Sequence, residues 1–382
     1  MIQTWALLVD AYRELSSRKL FWLAIGISLL VVAAFACLGV NAKGFQVLQW
    51  TIDSNFFNSR TMPADRFYKY IFGAFGVPVW LAWGAVILAL VSTGSMFPDL
   101  VTGGSIDLML AKPISRLRLF LTKYVAGLLF TALQVSVFTV ACFVVFGIRG
   151  GVWHPVIFWA IPIMVLFYSY LFSLCVLVGI VTRSALTSII ITIIVWFACF
   201  LLNTADSVVL TIRVQKEMAQ ERITATIERK EKAARETFAA ANPPVEGQPP
   251  VEPTKEQLDI ANPFLASSRK ELDDEREWAT TIRTIERIVT GVKTGLPKTS
   301  ETVELLKRKF GDLLPNVGGA DANEISDDGP FGPMTRKQQV EMQRRIQNAL
   351  ASRSTAWVLG TSLGFEFLML SIAGWIFCRR DF

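Results

Sequence analysis

Long apolar runs alternate with short polar joints through the first two hundred residues. They give way to a densely charged tract and return once more before the C terminus. A run of about 18 or more apolar residues is long enough, as a helix, to cross a hydrocarbon layer of roughly 30 Å. Six runs qualify: 20–40, 77–97, 119–148, 156–181, 185–203 and 356–377. This pattern predicts an all-α membrane protein with six transmembrane helices. Ahead of the first span, Trp5, Leu8, Tyr12 and Leu15 fall on one helical stripe, with Asp10, Arg13, Glu14 and Ser17 mostly off it. Residues 1–19 therefore read as a helix lying in the membrane interface, or as a helical lead-in to the first span.

The tract 206–355 separates spans five and six. It begins in a helical idiom, with Val209, Ile212, Lys216, Ala219 and Ile223 on one side up to about residue 241, so the fifth span is expected to continue as a stalk. The stretch NPPVEGQPPVEP, 242–253, reads as a polyproline-type linker. Further helices are expected over 268–292, with Leu272, Ile282, Ile285 and Val289 as apolar positions, and over 300–314, followed by a loop at 315–333. Thr335 with Gln338 forms a capping box, and the helix it opens is expected to run through Arg353 into the last span. Packed together, these helices make an extracytoplasmic helical insert. The tract's low apolar content and high charge leave partial disorder as the other reading.

Composition agrees with a membrane chain: of 382 residues 52% are hydrophobic and 18% charged, and mean hydropathy is +0.42. The net charge of +6 suggests a nucleic-acid partner only until it is divided by region. The tract 206–355 holds 23 basic and 24 acidic residues, net −1, and the remaining 232 residues hold 15 and 8, net +7. That excess lies between the spans, where it bears on topology, so no nucleic-acid partner is expected. One side carries Arg13, Arg18, Lys19, Lys112, Arg116, Arg118, Lys123, Arg183, Arg379 and Arg380. The other carries Lys43, Arg60, Arg66, Lys69 and Arg149. The positive-inside bias places both termini and the loop between spans two and three in the cytoplasm, and the insert outside. Ala34-Phe35-Ala36 offers a cleavage-like site, but 19 residues precede the apolar core, so the first span is read as uncleaved. The five cysteines all lie in or beside apolar runs, and there is one histidine, no CxxC and no HExxH. A disulfide framework, a metal site and histidine catalysis are not expected.

The most specific stretch is 92–130, STGSMFPDLVTGGSIDLMLAKPISRLRLFLTKYVAGLLF. A turn at Gly103-Gly104-Ser105 precedes a short amphipathic segment, Ile106 to Leu110, with Asp107 on its polar side. Lys112-Pro113-Ile114-Ser115-Arg116 then breaks it, and Lys123 lies in the next span. The segment resembles the cytoplasmic loop of type 2 ABC transporter permeases, the ABC-2 family. Six spans and the C-terminal Arg379-Arg380-Asp381-Phe382 agree. Asp99 stands where the family usually has a glutamate, and the roughly 150-residue insert is larger than is usual at this loop. The resemblance covers about 1–203 and 356–382.

It implies a permease subunit in the cell (inner) membrane, working as a homodimer or with a second permease, moving substrate, with export expected. ATP hydrolysis would fall to a separate ABC ATPase subunit carrying the ATP and Mg, since this chain has neither GxxxxGKS nor GxxxxGKT and binds no cofactor of its own. The loop 98–118 would be the coupling segment, with Ile106 and Leu110 as apolar contacts and Lys112 and Arg116 available to acidic residues. Asp99, Gly104, Asp107, Pro113 and Ser115 complete it. Arg118 and Lys123 read instead as topology-setting charges near lipid head groups.

Glu366 is the acid centrally placed in a span. It is read either as a group meeting substrate, a proton or a polar partner, or as a structural hydrogen bond to Ser362, Ser371 or a neighbouring span. Gly360-Thr361-Ser362-Leu363-Gly364 matches GxSxG, but within a span a GxxxG helix-packing pair, Gly360 and Gly364, is the better reading. His154 reads as structural, and Trp153, Trp159 and Trp357 as interfacial belt residues. The rival to a permease is a membrane-anchored scaffold or sensor whose insert recruits an envelope partner.

Overall fold

The structure, a computed structural model, describes residues 9, 13, 16–17, 19–48, 50–53, 63–102, 115–151, 153–242, 252–310, 325–326, 334–352 and 354–379. Trp5, Leu8, Tyr12 and Leu15 of the expected interfacial helix lie outside them. Among the described residues, six helical stretches are long and apolar enough to span a membrane: Lys19–Cys37, Arg66–Val101, Arg116–Gly150, Pro155–Thr182, Ala185–Ala241 and Thr355–Arg379.

The first span, α1 (Lys19–Cys37), passes directly into a small antiparallel sheet of β1 (Leu38–Asn41), β2 (Gly44–Val47) and β3 (Trp50–Asp53), in that order. Hydrophobic periodicity had not revealed this sheet. The chain turns at Ala42-Lys43, Gly44 opens β2 at φ 154, and Leu38 pairs with Val47, which pairs in turn with Trp50. The Tyr68 hydroxyl ties the sheet to the bundle by donating to the Leu38 carbonyl at 2.6 Å, while Arg149 Nε donates to the Tyr68 oxygen at 3.2 Å.

The second span begins as α2 (Ala64–Ile71) and continues through a π-type segment, Phe72–Ala85, into α3 (Val86–Thr93). Pro78, inside that segment, has no N–H with which to close an α-turn, and the backbone there takes the wider i→i+5 spacing. Gln134 of the third span donates its Nε2 to the Ala85 carbonyl at 3.3 Å. A short helix α4 (Met96–Thr102) follows, then α5 (Arg116–Gly150), closed by left-handed Gly151 at φ 71. After a 3₁₀ turn, Pro155–Trp159, come α6 (Ala160–Thr182) and α7 (Ala185–Ala241), joined by a tight turn with Arg183 at φ 54. The last span is α12 (Thr355–Arg379), packed against α6 and α5. Among the buried rings of this bundle, Phe97, Phe120 and Phe377 meet at 5.4 to 5.8 Å and Phe72 stacks on Phe138 at 6.3 Å.

Two compact units emerge. One joins the spans up to residue 201 with residues 294–310 and 355–379, and the other comprises residues 202–293 and the later part of the charged tract. Helix α10 (Thr299–Phe310) therefore groups with the spans although its sequence is charged. It buries Val303 and Leu306 and packs on α6, the π-type segment and α12. A lysine near each of its ends lies over a tryptophan of the bundle: Lys298 over Trp357 at 3.8 Å and Lys309 over Trp159 at 5.2 Å.

In the second unit, α7 is flanked by α8 (Lys255–Ala261) and α9 (Pro263–Thr294), and separately by α11 (Arg336–Ala351). Leu258, Leu265 and Leu272 pack on Ile227 and Ala234, while Leu210, Val214 and Met218 receive Met342 and Ile346. Reciprocal capping boxes open α8, at Thr254 with Gln257, and α11, at Thr335 with Gln338. Contrary to expectation, α11 does not run into the last span. It stops at Ala351 with Ser352 as its cap, and α12 starts anew at Thr355.

Candidate functional site

At the end of the bundle where α5 begins and α12 finishes, α4 buries Phe97, Leu100 and Val101 and exposes Asp99. The helix packs on α6, so the exposed acid is carried on a firmly seated turn. Ser115 caps α5, its hydroxyl accepting the Arg118 N–H at 3.3 Å. Arg116, the first residue of α5, donates to the Cys378 carbonyl of the last span at 3.4 Å. Gly104, Ile106, Asp107, Leu110, Lys112 and Pro113 lie outside the described residues, between these two anchors. Lys123 departs from the expectation of a head-group charge: it is only 4% exposed, drawn into the bundle one turn above Phe120.

Deeper in the membrane, Glu366 on α12 is held by both neighbouring spans. The Tyr124 hydroxyl of α5 donates to its Oε1 at 2.7 Å, and the Ser169 hydroxyl of α6 donates to its Oε2 at 2.8 Å. These are partners on neighbouring spans rather than Ser362 or Ser371 on its own helix. The Tyr124 ring is fixed by stacking on Phe172, with centroids 5.3 Å apart and planes 11° from parallel, and Tyr168 stacks on Phe172 as well. Tyr168 in turn shares a short hydrogen bond with Thr93 of α3. Four elements, α3, α5, α6 and α12, thus meet around one aromatic and hydroxyl cluster with a carboxyl group at its edge.

Within the chain, the hydroxyls of the GTSLG segment hold a neighbouring helix. Ser362 accepts the Lys298 N–H at 3.0 Å, and Thr361 accepts Lys298 Nζ at 2.6 Å. The two hydroxyls seat the start of α10 against the last span, and Lys298 is fully buried there. Gly360 and Gly364 lie on open surface within the chain, where an added Cβ would meet nothing within 4 Å. Tyr124, Ser169 and Lys298 were not singled out from the sequence, because each is an ordinary residue in its own run and acquires its role only by tertiary contact.

A membrane bundle thus carries a short helix and a capped basic helix start at one end, and a carboxyl group braced between spans. The model of the ABC-2 family transporter protein matches residues 14–381. The chain belongs to the ABC-2 transporter family. No curated protein and no solved structure matches it. The family match encloses the charged tract, where the resemblance read from residues stops. As an ABC-2 chain it is a multi-pass membrane protein and a permease subunit of an ABC transporter.

Proposed function

We propose that this ABC-2 permease couples ATP hydrolysis on its ATPase subunit to outward movement of substrate, with both termini and the 98–118 segment in the cytoplasm of a cell whose inner membrane it spans. The observation that carries the reading is the pairing of anchors around that segment. Exposed Asp99 sits on α4, which packs on α6, and Ser115 and Arg116 open α5, with Arg116 reaching the end of α12. A segment gripped at both ends by three spans transmits a push from a docked ATPase to all of them. The same spans, α5, α6 and α12, converge on Glu366. Closure of paired ATPase subunits would then rock the bundles between inward-facing and outward-facing states.

Co-expression with the ATPase should give a complex stable in mild detergent. Lys112→Ala with Arg116→Ala should leave the chain in the membrane but abolish transport-coupled ATP turnover in vesicles. Full coupled transport by that double variant would overturn the docking assignment. Substrate accumulating on the ATPase side of the vesicle membrane would overturn the direction.

A further inference from the structure

Helix α9 presents two faces of different character. One is occupied: Glu275, Glu286 and Lys293 bond to Lys216, Arg213 and Asp206 of α7 at 2.7, 3.0 and 2.7 Å, and Leu272 and Ile282 are buried among them. The other carries Trp278, Thr281, Ile285, Ile288 and Val292, successive residues three or four apart. Its four large side chains are 61, 44, 62 and 53% exposed. At about 100° per residue this stripe is centred roughly 120° round the helix from the α7 face, so the two surfaces are distinct. Alternating steps of three and four define an a/d seam, the surface that a second helix fills with knobs in holes. Four exposed large apolar side chains in one stripe form a contiguous apolar surface, the kind that marks an interaction site.

The chemistry of the seam's lips narrows the partner. In heptad terms the flanking e and g positions from 278 onward are Ile282, Thr284, Val289 and Gly291, leaving Glu277 as the one charged lip residue. Seams that select a different chain do so with complementary charges at these positions. From 278 to 292 this seam has none beyond that first turn, so nothing along that stretch repels an identical helix, and Glu271 and Asp274 at the a and d positions of the preceding heptad confine the pairing to it. The whole tract 206–355 is nearly neutral, with 23 basic and 24 acidic residues, so two copies approach without net repulsion. Gly291 adds open space beside the seam, where a Cβ would meet nothing within 4 Å.

We infer that α9 pairs in parallel with α9 of a second copy of this chain, Ile285 and Ile288 each packing on its own counterpart. The inference rests on the reading of the permease as one of two half-transporters. Two copies inserted in one membrane with the same topology are related by an axis along its normal, so equivalent helices at that axis run parallel and like residues face like.

The test uses full-length chain in native membranes and in nanodiscs. Ile285→Cys and Ile288→Cys should each give a reducible dimer with a mild oxidant or a short bismaleimide, well above the level of the unsubstituted chain. Arg283→Cys, on the opposite side of the helix, should not. Ile285→Glu with Ile288→Glu should lower the dimer fraction in nanodiscs at least tenfold while the chain still inserts and binds its ATPase. Equal cross-linking at 283 and 285, or none at 285 and 288 in a chain that is dimeric by mass, would overturn the seam and leave the pairing of permeases intact. A monomeric chain that binds its ATPase would overturn both the seam and pairing with itself, but not the ATPase reading. Cross-linking at 285 in a chain that binds no ATPase would support the seam while removing the coupling proposal.

Discussion

An acidic residue central in a span costs about 2.5–3.5 kcal/mol on insertion scales, and a hydrogen bond to a charged group contributes roughly 1.5–3 kcal/mol. The hydroxyls of Tyr124 and Ser169 together are therefore enough to hold Glu366 in place. If bracing is its role, Glu366→Gln should keep one good acceptor for Tyr124 and lower thermal stability only slightly. Glu366→Ala should cost about 1–3 kcal/mol by removing two hydrogen bonds to a carboxyl group, with the Tyr124 and Ser169 hydroxyls left to the carbonyls of Ser169 and Leu166. Thermal denaturation of the purified chain in detergent checks both. A Gln variant that is fully stable yet inactive in transport would instead assign Glu366 to the transport path. Glu366 was legible in the sequence because a lone acid in an apolar run is conspicuous. Its partners were not, since they lie 242 and 197 residues away and look like any Tyr or Ser in a span. Lys298 was hidden for the opposite reason: in a tract dense with charge, one lysine reads as solvated, and only Trp357, Thr361 and Ser362 show that it is not.

Among the pairs that join helices of the charged tract, two differ sharply in environment. Lys293 and Asp206 meet at 2.7 Å with side chains 7% and 5% exposed, so removing one partner leaves an uncompensated buried charge. Lys293→Met is expected to destabilise by about 3–5 kcal/mol, and Lys293→Met with Asp206→Leu to recover most of the loss. A double-mutant cycle measures this, and equal losses for the single and double variants would contradict it. The Arg345–Glu221 pair, at 2.8 and 2.9 Å, is largely solvated, and exposed pairs are worth little. Arg345 still holds the Glu221 carboxyl below its ordinary value, chiefly by hydrogen bonding. A depressed folded value means that the pair's small contribution is complete above the usual carboxylate range, about 4.3, and is lost as the pH falls through the lower folded value. Glu221→Gln should flatten that acid-side slope in thermal midpoint. Helical periodicity located the long elements of this tract well, because each has a face to bury. Periodicity missed β1 to β3, whose four-residue strands sit directly against the apolar end of α1 and merge with it in any window longer than themselves.

For the molecule as a whole, the expected orientation rests on ten basic residues against five. An exposed cysteine introduced by Ala239→Cys should therefore react with a membrane-impermeant maleimide in intact cells. Native Cys378, exposed at the other end, should react only after permeabilisation, and the reverse labelling would invert the topology. Replacing 214–285 by a short Gly/Ser linker keeps the Asp206–Lys293 pair and α10. The shortened chain should still insert and bind its ATPase, with weaker self-association. Loss of ATPase binding would instead favour a scaffold built around the insert. The unit that groups α10 with the spans was beyond the reach of composition, since charge alone assigned 299–310 to the insert. The placement of the thiols has a consequence for biogenesis. All five are free, and none lies in 206–355. The helices of that tract must then reach their final pairing without oxidative proofreading, guided by buried leucines and ion pairs alone. Their folding should proceed at the same rate under reducing and oxidising conditions, indifferent to any disulfide isomerase they encounter.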